Sequence, residues 1–244
     1  TFSKEIIKRL VLRGVNVCRI NFSHIDHAKA KEVINSIKEV NQELHVHTAI
    51  LADLQGPKIR IGELEKPMRL TKGMQITLCT RKRKGKIYVN YSKFAKEVCV
   101  NDKILIDDGK LTLIATHTNH KDTVRLKVVF GGMLYSNKGI NLPNTKISMP
   151  CLTYKDKQDL KFVLNEKIEW IGLSFVRSAE DVKKLKRIIK LKKSHHKVIA
   201  KIEKPQAIKD IDAIIQETDA IMVARGDLGV EVLPQKVPVY QKMI

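Results

Sequence analysis

Side chains able to handle anions and metal ions stand at the ends of short apolar runs. Lys201-Ile202-Glu203 closes one such run, and Ala224-Arg225-Gly226-Asp227 follows the next. Alternation along a strand puts Lys201 and Glu203 on one face. Carboxylates from neighbouring strand ends, Glu203 and Asp227, suit Mg²⁺, whose octahedron takes one or two protein carboxylates and fills with substrate oxygens and water. A lysine beside them acts as a point charge on a phosphoryl group, although a structural Lys–Glu ion pair uses the same residues. The two glycines of Arg225-Gly226-Asp227-Leu228-Gly229 predict a tight loop, either an ordinary turn or one whose N–H groups face an anion. Arg19 precedes Asn21-Phe22-Ser23-His24 and shares a strand face with Asn21, setting one phosphate-seeking cation beside neutral oxygens. With Asp53, the oxygens of Asn21 and Ser23 could hold a monovalent cation; alternatively Ser23 or Asp26 caps a helix. Gly56-Pro57-Lys58-Ile59-Arg60 and Lys138-Gly139 add Arg60 and Lys138 at two hinges, as cleft cations or as solvated linker charges.

Those residues need strands to present them. Val15–Phe22, Thr48–Leu54, Trp170–Val176, Val198–Ile202 and Ala220–Ala224 are apolar runs of strand length. Between them, Asp26–Glu43, Tyr154–Leu164, Ala179–Lys190 and Gln206–Gln216 carry helical periodicity. Alternating strand and helix implies parallel βα units. The polar clusters, which include Asp53, Ser174 and Arg177, fall at C-terminal strand ends, where a βα barrel carries its chemistry. From 62 to 138 the rhythm changes to short strand-like runs broken by Lys72-Gly73, Lys84-Gly85, Asp107-Asp108-Gly109 and Gly131-Gly132. The expected fold is α/β: a partial (β/α)8 TIM barrel formed by 1–61 and 139–244, with a small all-β barrel inserted at 62–138. A closed barrel takes about 200 residues or more, so five strands predict an incomplete one.

Composition removes several other classes. The chain has 244 residues, 43% of them hydrophobic, which is enough for a core. No uninterrupted apolar stretch approaches the roughly 18 residues of a membrane span, so no membrane partner is expected. Cys18, Cys79, Cys99 and Cys151 stand apart, without metal-ligand spacing, as in a reducing compartment. A net charge of +20 invites a nucleic-acid reading, but only 5% of residues are aromatic and the charge is spread along the chain. The basic stretch Lys183–Lys193 has helical apolar spacing and is expected to be a solvated helix face.

Gly14 to His24, Leu51 to Arg60, Ile106 to Gly109, Lys138 to Pro143, Ala200 to Glu203 and Ile221 to Gly229 resemble the pyruvate kinase family, in its order and spacing. The resemblance implies phosphoryl transfer from phosphoenolpyruvate to ADP, giving pyruvate and ATP, the last step of glycolysis. It further implies a cytoplasmic homo-oligomer, by family analogy a tetramer. Arg19 would bind the phosphoryl group, and Lys201 would stabilise that group in transfer and the enolate left behind. Ala224, Arg225, Gly226 and Asp227 would meet the substrate. Asn21, Phe22, Ser23, His24, Arg60 and Lys138 would contact the nucleotide, and Glu203 and Asp227 would hold Mg²⁺ or Mn²⁺. In potassium-dependent members the positions of Asn21, Ser23, Asp53 and Leu54 hold K⁺, with Thr at the last and Glu at Lys58. Here Leu54 lacks the hydroxyl and Lys58 adds a charge, so the Lys58 ammonium is expected to replace K⁺.

The family's barrel extends beyond both ends of this chain and is followed by a domain with effector sites, so the 244 residues alone are expected to be inactive. Two other readings compete. A Mg²⁺-dependent lyase or aldolase of phosphoenolpyruvate or pyruvate shares the metal carboxylates but needs neither the insertion nor Arg60 and Lys138. A polyanion-binding module uses the charge but has no role for Glu203 and Asp227.

Overall fold

The computed structural model describes residues 3–244. The chain runs through α1 (Lys4–Leu12), β1 (Val17–Asn21), α2 (His27–Leu44) and β2 (Ala49–Asp53). Next come β3 (Ile59–Arg60), β4 (Met68–Leu70), β5 (Gln75–Cys79), β6 (Ile87–Tyr88), α3 (Phe94–Glu97) and β7 (Lys103–Ile106). β8 (Leu111–Thr118), β9 (Thr123–Phe130), β10 (Gly132–Leu134) and β11 (Gly139–Asn141) follow. The last part holds α4 (Tyr154–Val163), β12 (Trp170–Leu173), α5 (Ala179–Leu191), β13 (Lys197–Ile202), α6 (Pro205–Lys209) and α7 (Ile211–Glu217). It ends with β14 (Ala220–Val223), α8 (Arg225–Glu231) and α9 (Val237–Met243). By contacts the chain forms two units: one runs to Pro57 and resumes over Pro150–Ala224, and the other is Lys58–Met149 with Arg225–Ile244.

In the first unit the strands form one parallel sheet in the order β1-β2-β12-β13-β14. Sequence order with helical crossovers is the connectivity of a βα barrel. β2 buries Ile50, Leu51 and Ala52 in succession, the pattern of a strand covered on both faces. α2 buries Ala30, Val33, Ile34, Ile37 and Val40, a stripe at three- and four-residue spacing. Of the two caps foreseen for that helix, Asp26 fills the role, its carboxylate accepting the Lys29 N–H at 2.8 Å. The basic stretch lies on α5, where Leu185 and Ile189 are buried while Lys183 and Lys186 pair with Glu217 and Asp219.

Two expectations are corrected. The single helix foreseen over Gln206–Gln216 is broken at Asp210, which leaves helical geometry at φ −108° and ψ 19°. Its carboxylate instead accepts the Ala179 N–H at the start of α5, at 2.7 Å. The glycine loop foreseen at Arg225–Gly229 is the helix α8. Neither Gly226 nor Gly229 has a positive φ, so the conformational freedom on which the loop rested is unused.

In the second unit seven strands lie in the order β3-β11-β7-β8-β9-β5-β6, and β4 pairs with β10. Along β9, buried Val124, Leu126 and Val128 alternate with exposed Arg125 and Lys127, a half-buried strand's pattern. Leu78, Phe94, Ile104, Ile106 and Leu113 belong to the same core. The unit's entering and leaving strands, β3 and β11, pair antiparallel through Arg60↔Gly139 and Ile59↔Ile140. No helix among the described residues is long and apolar enough to cross a membrane.

Candidate functional site

Parallel register brings the charged strand ends of the first unit together. Asn21 stands opposite Asp53 across β1 and β2, and Gly172 opposite Asp53 across β12 and β2. Asp53, only 2% exposed, is the hub. Its Oδ2 accepts from Arg19 Nε at 2.6 Å and Nη2 at 2.5 Å. Its Oδ1 accepts from Lys201 Nζ at 2.9 Å. The same ammonium donates to Ser174 Oγ at 2.8 Å and to Glu203 Oε1 at 3.0 Å. Ser174 in turn donates to the Leu54 carbonyl at 2.7 Å. Glu203 is as buried as Asp53, and its Oε2 accepts the Phe175 N–H at 3.0 Å.

Two cations and two carboxylates thus balance where a lone buried charge would be costly. Burial alone would lower the Lys201 pKa, but the negative charges of Glu203 and Asp53 outweigh it and hold the value above 10.5. The ammonium is permanently charged at neutral pH. Arg19 is different: its guanidinium is anchored on Asp53 through Nε and Nη2, yet its side chain remains 52% exposed.

The segment after β1 is fixed by its backbone. Asn21 Oδ1 accepts the Ser23 N–H at 3.0 Å, the Phe22 N–H donates to the Asp53 carbonyl at 3.0 Å, and Lys155 Nζ donates to the Phe22 carbonyl at 2.6 Å. The Phe22 ring is fully buried, 6.1 Å from that of Phe162, and is therefore part of the core. Around Asn21, Ser23, Asp53 and Leu54, Asp53 is paired with Arg19 and Lys201, Asn21 Oδ1 accepts the Ser23 N–H, and Leu54 has no side-chain oxygen.

In the second unit, pairing of β3 with β11 makes the hinge cations Arg60 and Lys138 neighbours. Arg60 Nη1 donates to the Asn137 carbonyl at 2.9 Å, and Lys138 Nζ pairs with Asp107 Oδ1 at 2.9 Å. Hydrogen bonding from Lys138 is the main reason the Asp107 carboxyl sits below 3.8. Lys58 runs along β11, close enough that a Cβ on Gly139 would lie 3.2 Å from its Cε. Arg225, Gly226 and Asp227 form the exposed first turn of α8. Ala224 belongs to the first unit, its N–H donating to the Ile202 carbonyl at 3.3 Å.

Comparison with known proteins decides the family. The pyruvate kinase barrel domain matches residues 1–244. The chain belongs to the pyruvate kinase family. It is 41% identical to pyruvate kinase 2 of Synechocystis sp. over 254 residues, covering 100% of this chain and 42% of that protein. It is 39% identical to the pyruvate kinase of Mycobacterium intracellulare, covering 99% of this chain and 52% of that protein. With the pyruvate kinase of Staphylococcus aureus the identity is 37%, covering 98% of this chain and 42% of that protein. The chain spans about half the length of these curated relatives or less.

Within this chain the five parallel strands are a partial βα barrel, the fold expected from the alternation of elements. Arg19, Asp53, Lys201 and Glu203 meet as one cluster. Ser174, foreseen at this edge as a strand-end hydroxyl, joins it. Sequence reasoning missed Phe175, which leaves no signal because it acts through its backbone N–H.

Proposed function

We propose that the protein carrying this chain transfers the phosphoryl group of phosphoenolpyruvate to ADP. The observation that carries the proposal is the Arg19–Asp53–Lys201–Glu203 cluster at the ends of parallel strands, in a chain of the pyruvate kinase family. An oxygen of the ADP β-phosphate attacks phosphorus, the bond to the enol oxygen breaks, and the enolate takes up a proton to become pyruvate. Such transfers depend on positioning and charge neutralisation. Arg19, exposed beyond its Asp53 anchor, binds the phosphoryl group. Lys201 presents a fixed positive charge to that group and to the enolate oxygen. Ala224, Arg225, Gly226 and Asp227 receive the substrate, while Asn21, Phe22, Ser23, His24, Arg60 and Lys138 contact the nucleotide.

Glu203 and Asp227 would hold a divalent ion. They fit it by donor chemistry, both being carboxylates, and Glu203 is held by Lys201 at 3.0 Å. Bound there, Mg²⁺ or Mn²⁺ supplies charge neutralisation for substrate oxygens. K⁺ is not required, its role passing to Lys58. Residues 62–138 are proposed as the inserted domain of a cytoplasmic homo-oligomer. The test is a coupled pyruvate-formation assay on the longest form of the protein with phosphoenolpyruvate, ADP and Mg²⁺, with and without K⁺. Turnover equal in both supports the reading, absence of pyruvate refutes it, and a large K⁺ activation removes the role given to Lys58.

A further inference from the structure

Phe175 follows β12 with φ +56°, a left-handed conformation that side-chain-bearing residues avoid. Such an outlier persists only where its surroundings hold it, and three contacts do. Its N–H donates to Glu203 Oε2 at 3.0 Å, and the Lys204 ammonium lies 5.4 Å from the centre of its ring. The ring also lies so close to Gly56 that a Cβ there would be 2.7 Å from Phe175 Cδ2. Gly56 is itself left-handed at φ +71°, and its N–H is held by the buried Asp156 carboxylate at 3.0 Å. Two left-handed residues are therefore packed against each other, one without a side chain and one with a large ring.

The consequence is felt at Glu203. Lys201 holds Oε1 and the Phe175 N–H holds Oε2, so each carboxylate oxygen has its own partner and the carboxylate plane is set. The geometry points to Phe175 as a positioning residue: its left-handed backbone, wedged by Gly56, orients Glu203 to bind a divalent cation. This rests on the reading of Glu203 as a metal ligand.

The experiment is Mn²⁺ titration by calorimetry on the longest form of the protein, for Phe175→Gly, Phe175→Asn, Phe175→Ala, Phe175→Val and Glu203→Gln. Gly and Asn reach the left-handed region readily, Ala pays a steric penalty there, and Val pays more. The expected result is an Mn²⁺ Kd within about threefold of the unchanged protein for Gly and Asn, about tenfold weaker for Ala, and weaker still for Val. A role in packing alone predicts the reverse order, by side-chain size. That order, or an affinity unchanged across the series, overturns the inference. If Phe175→Val does not fold, the comparison of Gly with Ala decides alone. Glu203→Gln separates the two levels: if it leaves Mn²⁺ binding intact, the metal reading falls and the inference with it. If it weakens binding while the Phe175 series follows size, only the inference falls.

Discussion

Asp53→Asn removes one charge from the cluster and keeps the side chain's shape. Asp53 and Lys201 are 2% and 7% exposed, so the pair is buried. Removing one partner of a buried pair costs about 3–5 kcal/mol. Lys201 keeps Glu203 at 3.0 Å, which places the loss near the lower end, about 3 kcal/mol. Arg19 adds little, its side chain being half in water. The Lys201 pKa is raised above 10.5, so its contribution is complete at pH 7 and is lost only as pH climbs through the folded-state value. PH 7 is thus the right condition for the measurement. A loss of about 3 kcal/mol corresponds to a fall in Tm of roughly 6–12 °C for a chain of this size. Thermal unfolding of Asp53→Asn, Lys201→Met and the double variant completes a cycle, with a coupling of at least about 1 kcal/mol expected. A Tm within 2 °C of the unchanged protein, or strictly additive single changes, would refute the assignment of Asp53 as the hub.

Three further outcomes are expected. Burial lowers the His196 pKa from 6.5, so its contribution to stability is complete above pH 6.5 and declines as pH falls toward the folded-state value. His196→Gln should flatten the dependence of Tm on pH between 7.5 and 5, and an unchanged slope contradicts this. Leu126→Ala in the buried face of β9 should cost about 2–5 kcal/mol in urea unfolding, because the side chain is fully enclosed. Asp26→Ala should lose the cap of α2 and about 1 kcal/mol, while Ser23→Ala should not lose that cap; equal losses would contradict the capping assignment.

Much of the cluster is visible in the residue order. Alternation alone puts Lys201 and Glu203 on one face, and the strand-end position of Asp53 and Ser174 points them to the same edge. What sequence cannot supply is pairing across strands. Asp53 looks like an oxygen ligand in isolation and becomes the partner of two cations only when the sheet sets β2 next to β1 on one side and one strand from β13 on the other. Glycine misled at Arg225–Gly229, where a helix forms without using the freedom of either glycine. At Phe175 the reverse holds, since a phenylalanine carries no mark of a left-handed backbone, and only packing against Gly56 explains it.

Pairing of β3 with β11 also bears on how the chain folds. The excursion that starts at Lys58 and ends at Met149 leaves and returns through two adjacent strands, tied by the Ile61 N–H to the Lys138 carbonyl at 2.8 Å. Chain entropy charges a loop for bringing its ends together, and the charge grows with the logarithm of its length. Once β3 and β11 have zipped, that closure is complete inside the second unit, and β2 and α4 are joined by a short tether instead of a free loop. The order of events expected from this topology is the β-rich segment Lys58–Met149 first and the long-range parallel pairing of β2 with β12 afterwards.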